Sequence, residues 1–234
     1  MILAINTSTI QFSIALLNER GAILAEYFMS PGSKNYGNFM PALDSALTLS
    51  ESSLRDIEAL IVVTGPGSFT GLRVGLSVVK GLAHGLKIPV ISVSALEALA
   101  NQFPYLEFPL FPMIDSRKGE VFSALFEWSD NHKMIRIRDD ESIKMDDLPS
   151  VIQGTTIFLG NNFNSQAYLV KKKLGPNALL APSHLWNLKA SAVGALGLKR
   201  FIAQDFDDIQ NLAPSYLRMP DIRPNPFPPL NKIR

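Results

Sequence analysis

The residues that could do chemistry gather in a few turns. The most conspicuous is Gly65-Pro66-Gly67-Ser68-Phe69-Thr70-Gly71-Leu72-Arg73-Val74-Gly75. It follows the unbroken apolar run Ala59-Leu60-Ile61-Val62-Val63 and opens a helical pattern that continues to Leu86. A short β-branched run of this kind reads as a strand buried on both faces. Ser68 or Thr70 is suited to cap the helix behind it. Strand, glycine turn and helix N-terminus together can cradle a phosphate, because the first turn of a helix leaves N–H groups unpaired. The spacing is neither that of a Walker A loop, since no lysine follows until Lys80, nor that of a dinucleotide fingerprint. A tight turn with close backbone packing explains the same glycines.

Other reactive types are sparser. Ser8 and Ser68 sit in turns but lack a G-x-S-x-G elbow. His84, His132 and His184 are scattered, with no pair at helical ligand spacing, so no metal site is expected. Asp115-Ser116-Arg117-Lys118-Gly119-Glu120 could present a carboxylate and an arginine to a cleft, or simply turn a hairpin. Lys171-Lys172-Lys173 point to different sides of a helix and make a poor phosphate stripe. With a net charge of +1, no global field draws nucleic acid or membrane to the chain.

The elements that position these residues follow from periodicity. Strands are expected at Met1 to Ile5, Phe12 to Leu17 and Ile23 to Phe28, with a hairpin turn at Asn18 to Gly21. A helix should run from about Asn38 to Leu49, with Phe39, Leu43 and Leu47 on one stripe. Ser53-Leu54-Arg55-Asp56 reads as a small capping box. The helix after the glycine turn carries Leu72, Leu76, Val79, Ala83 and Leu86 on one stripe and Val74, Val78 and Leu82 on another. A helix apolar on most sides is buried on most sides. It is either a central core helix or one shared between the core and a partner protein. Gly71, Gly75, Gly81 and Gly85 would let another backbone approach it.

A strand at Val90 to Val93 and a helix from Ser94 to about Asn101 complete a first lobe, residues 1–103. Residues 104–213 echo that order. Strands are expected at Leu110 to Ile114, Glu120 to Phe126 and Lys133 to Ile137, then a helix or loop over Ser142 to Ile152. A strand at Thr156 to Leu159 and a helix at Ser165 to Leu174 follow. A last helix should run from Ser183 or Leu185 to Ala203, with Leu188, Ala192, Ala195 and Leu196 on one face. Residues 214–234 hold six prolines and read as an extended tail, docked on something. The absence of cysteine excludes disulfides and thiolate chemistry and fits a reducing cytosol. No signal peptide or membrane span is expected, so the chain is placed in the cytoplasm.

The glycine stretch with Lys80-Gly81-Leu82-Ala83 resembles the TsaB family of bacteria. Ile2-Leu3-Ala4-Ile5-Asn6-Thr7-Ser8 is similar to that family's opening strand and turn, and Pro89 to Ser94 with Leu96-Glu97-Ala98-Leu99 to its next strand and helix. Ile114 to Val121 looks like its second-lobe hairpin, and Ala213-Pro214-Ser215-Tyr216-Leu217-Arg218 like its closing motif. The resemblance implies an α/β, two-lobed fold of the actin, sugar-kinase and chaperone-ATPase superfamily, with a duplicated mixed sheet and flanking helices. It implies a non-catalytic partner of the larger homologue TsaD in the complex that adds threonylcarbamoyl to the adenosine beside the anticodon of tRNA. TsaE, a small ATPase, joins them, and tRNA is met only through the complex.

No catalytic residue or metal ligand is assigned to this subunit, and no cofactor of its own is expected, ATP being used by the complex. Asn6, Thr7, Ser8 and Asp115 are candidates for a vestigial nucleotide cleft. The family usually has aspartate where this chain has Asn6, which brings no negative charge to a cation. The loop Ser33 to Asn38 lacks the histidine common there. The partner interface is expected at Phe39, Leu43, Leu47, Gly71, Leu72, Gly75, Leu76 and Val79, which could also pair two copies when TsaD is absent. Leu76→Glu or Val79→Arg should then break the complex and leave the fold intact. The alternative is a small-molecule kinase or ATPase working in the superfamily cleft.

Overall fold

The computed structural model describes residues 1–29, 38–117 and 119–218. The expected role of the loop at 33–37 and the docking of the tail beyond Arg218 lie outside them. Among the described residues the chain forms two five-stranded sheets of the same topology. The first holds β1 (Ile2–Asn6), β2 (Phe12–Leu17), β3 (Ile23–Met29), β4 (Ala59–Gly65) and β5 (Val90–Ser94), in the order β3-β2-β1-β4-β5. The second holds β6 (Leu110–Asp115), β7 (Glu120–Trp128), β8 (Met134–Lys144), β9 (Thr156–Gly160) and β10 (Ala178–Leu180), in the order β10-β9-β6-β7-β8. In each, the first three strands are antiparallel neighbours and the last two join in parallel. The echo read in the sequence is a true duplication, and this is the two-lobed architecture that the resemblance implied.

Strand β1 is buried throughout and its pleat divides the first lobe into two cores. Leu3 and Ile5 point, with Phe12, Ile14, Leu16, Leu60 and Val62, toward α1 (Phe39–Leu49) and α2 (Phe69–Leu86). Ile2 and Ala4, with Ala15, Leu17, Ala59 and Ile61, point the other way, toward α3 (Ala95–Asn101). That second core runs on without a break into the second sheet, to Phe111, Phe126 and Phe158. The second sheet carries the short α4 (Leu148–Val151) and α5 (Phe163–Leu174).

The final helix, α6 (Ala190–Ile202), crosses back and packs on β1, β2, β4 and β5 of the first sheet. It starts later than the expected Ser183 or Leu185. Those residues form a separate turn, and Trp186 and Leu188, both fully buried, plug the core before the helix begins. Its buried stripe is Ala190, Val193, Gly194 and Gly197; Ala195 faces solvent and Ala192 and Leu196 are half-buried. A Cβ on Gly194 would stand 2.5 Å from a methyl of Leu17, and one on Gly197 2.5 Å from Ile61, so the glycines let the helix lie directly on the sheet. β8 outruns the expected Ile137 by seven residues to Lys144, and residues 142–144 are strand where a helix or loop was expected. β10 has no counterpart in the sequence reading.

Candidate functional site

The glycine turn is held against the chain itself. The Ser68 amide donates to the Ser8 carbonyl at 2.7 Å. A Cβ on Gly67 would stand 2.2 Å from that carbonyl oxygen, and one on Gly65 2.4 Å from the carbonyl of Ser215. Ser68 caps α2 by accepting from the Gly71 amide at 3.2 Å, while Thr70 is exposed. Close backbone packing is therefore what Gly65 and Gly67 serve.

The first-turn residues expected in a cleft are sealed instead. Asn6, Thr7 and Ser8 are all essentially inaccessible. The Asn6 amide donates to the Leu188 carbonyl at 3.0 Å, and its oxygen accepts from the Ser8 amide at 3.0 Å and the Ser8 hydroxyl at 2.7 Å. Thr7 lies under α2, where a Cβ on Gly75 would stand 2.2 Å from its hydroxyl oxygen. The chain before α6 fills this site with Leu188, so these three residues line no opening.

Asp115 does face an open cleft, of about 410 Å³, between the lobes. Ser68, Thr70, Arg117, Tyr216 and Arg218 share its walls. The Asp115 carboxylate is already engaged, accepting from Gln166 Nε2 at 2.7 Å and Asn162 Nδ2 at 3.0 Å. Gln166 accepts in turn from the Trp186 indole at 3.0 Å and donates to Asn161 Oδ1 at 3.1 Å. The Asn161 carbonyl takes a 2.8 Å bond from Gln11 of the first lobe. This buried polar seam was not legible beforehand, because amides far apart in sequence carry no motif. Tyr216, at the cleft wall, stacks on Phe69 with ring centroids 4.9 Å apart, and its hydroxyl accepts from Arg73 Nε at 3.0 Å. The Arg73 guanidinium sits 3.9 Å over the Phe69 ring. None of the cleft-lining residues is a histidine, and each oxygen of the Asp115 carboxylate already accepts from a side-chain amide. Among the described residues no three histidine, aspartate or glutamate side chains group as a metal site.

The expected interface residues need correction. Phe39, Leu43 and Leu47 of α1, and Gly71, Leu72, Gly75, Leu76 and Val79 of α2, are all buried within this one chain. They are the inward stripe, facing β1, β2 and β4, and most join the core there. Only Leu43 and Leu47 also reach an outside surface, as the floor of a groove of about 620 Å³ with Met40, Asp44, Leu54 and Arg55. The outward side of α2 is the second stripe, Val74, Val78 and Leu82, all half-buried, beside exposed Ser77, Gly81 and Gly85. Added Cβ atoms on Gly81 or Gly85 would meet nothing within 4 Å. On α1, Met40 is 53% and Leu49 79% exposed. An apolar, partly bare surface thus spans the two helices, displaced by about a third of a turn from where it was expected.

The family model described as TsaD, tRNA N6-adenosine threonylcarbamoyltransferase, matches residues 34–211. The tRNA threonylcarbamoyladenosine biosynthesis protein TsaB of Bacillus subtilis is 30% identical over 221 residues, 93% of this chain and 94% of its own. Its namesake in Escherichia coli is 38% identical over 132 residues, 56% of each chain. The solved structure of YeaZ from Pseudomonas aeruginosa superposes with a TM-score of 0.75 at 24% identity, covering 92% of this chain and 99% of that one. It shares the fold.

Proposed function

The chain belongs to the TsaB family of tRNA threonylcarbamoyladenosine biosynthesis proteins, and from that membership we propose that it is the non-catalytic partner of TsaD in the complex that puts threonylcarbamoyl on tRNA. The observation that carries this is the outward face of α2. Val74, Val78 and Leu82 lie half-bare beside two glycines whose backbone is open to solvent. A solvated helix gains about 1 kcal/mol from alanine in place of each glycine, so open glycines on a bare helix suit the close approach of a second polypeptide. Paired with α1, this face would meet an equivalent helix pair in a four-helix contact.

In this reading TsaE joins the assembly, ATP is consumed by the complex, and tRNA is met through it. Without TsaD the same face would pair two copies of this chain. Against a kinase stands the sealed first turn, where Asn6, Thr7 and Ser8 are buried and the Asn6 amide is bonded to the Leu188 carbonyl. Among the described residues no helix is long and apolar enough to cross a membrane.

The test is co-expression with TsaD and TsaE, followed by threonylcarbamoylation of tRNA with and without this subunit. Modification should depend on its presence, and Val78→Glu, at the half-buried edge of the first-lobe core, should abolish both co-purification with TsaD and modification while the chain still melts cooperatively. Undiminished co-purification of that variant would overturn the reading of the face. Turnover of ATP by the isolated chain in magnesium would overturn the non-catalytic role.

A further inference from the structure

The outward side of α2 is not uniform. With about 100° between successive residues of a helix, its solvent half divides into parallel rows. One row carries Arg73, Lys80 and His84, and Lys87 follows as the residue that caps the helix end. The opposite row is aliphatic, formed by Val74, Val78 and Leu82. Ser77, Gly81 and Gly85 run between them as a floor without bulk. The helix has no acidic residue anywhere in its 18 positions. Among the described residues Lys80, His84 and Lys87 form no salt bridge, while Arg73 is committed to Phe69 and Tyr216. On a protein whose charges sum to only +1, a helix flank whose formal charges, Arg73, Lys80 and Lys87, are all positive and lie beside an apolar strip is a local asymmetry.

We propose that the element seated on α2 is a partner helix with two unlike edges, apolar toward Val74, Val78 and Leu82 and acidic toward Lys80 and Lys87. This rests on the reading that α2 faces TsaD, and it names the chemistry TsaD must bring. The charge row sets the helix's direction and register: a helix laid the other way round would put its acids over valines and its apolar side chains over lysines, leaving both edges unmatched. The same row speeds encounter, since rim charges act mainly on association rate and its salt dependence.

Full-length chain and full-length TsaD are titrated against each other at low and high salt, with three variants whose melting temperatures are checked first. Lys80→Glu/Lys87→Glu should weaken binding at least tenfold at low salt, chiefly through a slower association rate, with the deficit shrinking as salt rises. Gly81→Trp should abolish binding at any salt by blocking the floor. Lys171→Glu/Lys172→Glu, on α5, should bind as the wild type does. Loss of binding in Gly81→Trp with unchanged or tighter binding in the Lys80/Lys87 variant would sink the acidic edge and leave the interface standing. Unchanged binding in both would remove α2 from the interface and take the partner reading of this face with it.

Discussion

Two glycines in neighbouring elements show how differently the same residue can be used. Gly67 has no room for a methyl group, because the carbonyl oxygen of Ser8, a backbone atom that cannot swing aside, stands 2.2 Å from where its Cβ would go. Accommodating it means prising the β4–α2 turn off the turn that follows β1 and breaking the 2.7 Å bond from the Ser68 amide. Gly67→Ala should therefore cost about 1–3 kcal/mol, the usual range for overpacking. Gly81 is the reverse case: it lies mid-helix, faces solvent and has nothing near it. Gly81→Ala should raise stability by up to about 1 kcal/mol, since the substitution removes only backbone freedom in the unfolded chain. Urea denaturation of the isolated protein measures both. If the two changes shift the midpoint in the same direction, the assignment of Gly67 to packing and Gly81 to an outside surface is wrong.

At the scale of elements, α2 decides which substitutions probe binding and which probe folding. Leu76 is 4% exposed and Val79 fully buried, both against the core under α1 and α2. Leu76→Glu would bury a carboxylate with no partner, so it should unfold the chain rather than release a partner from a sound fold. Circular dichroism should show lost structure or a melting temperature far below that of Val78→Glu; a cooperative melt at the wild-type temperature would refute the inward assignment. The sequence displayed both stripes of this helix but not which one met the sheet. Both are equally apolar, and only β1 and β4 beneath them break the tie. The strands were legible because runs such as Ala59 to Val63 are apolar on both faces and end at glycine. β8 was cut short because the run Arg138 to Glu141 is charged throughout and has no apolar residue to continue the strand pattern. At a sheet edge those charges are tolerated by pairing along the strand, as Arg136 does with Asp140 and Arg138 with Glu141. The start of α6 was misplaced because Leu188 fits a helical period with Ala192, Ala195 and Leu196 while it plugs the core ahead of the helix. At the cleft, Asp115 was found through its charge, whereas Gln11, Asn161 and Gln166 give no signal until the fold brings them together.

Across the whole molecule, the lobes are tied where α6 and its sequel return to the first sheet. Asp207 bridges to Val90, its carboxylate accepts from the Ser92 amide at 2.5 Å, and Arg200 of α6 donates to both of its oxygens at 3.1 Å. Arg200 also holds the Ser92 carbonyl at 3.0 Å, so one ion pair fastens the end of α6 to β5. Burial acts to raise the Asp207 carboxyl, but the hydrogen bonds from Arg200 and Ser92 outweigh it and hold the group below the ordinary carboxylate range. A carboxyl lowered in the folded state contributes stability that is complete above the unfolded value of about 3.9 and is lost as pH falls through the folded value. Asp207→Asn removes the ionisation and weakens the pair with Arg200. It should cost about 1.5–3 kcal/mol at pH 7, the range for a hydrogen bond to a charged partner. Below about pH 4 the penalty should shrink, because the wild-type carboxyl is protonating too. Urea midpoints of both proteins, measured from pH 7 down to the acid limit, should therefore converge as the solution becomes more acidic. A constant gap over that range would mean that Asp207 acts through its shape alone and that the charge on Arg200 does nothing to hold α6 on the first sheet.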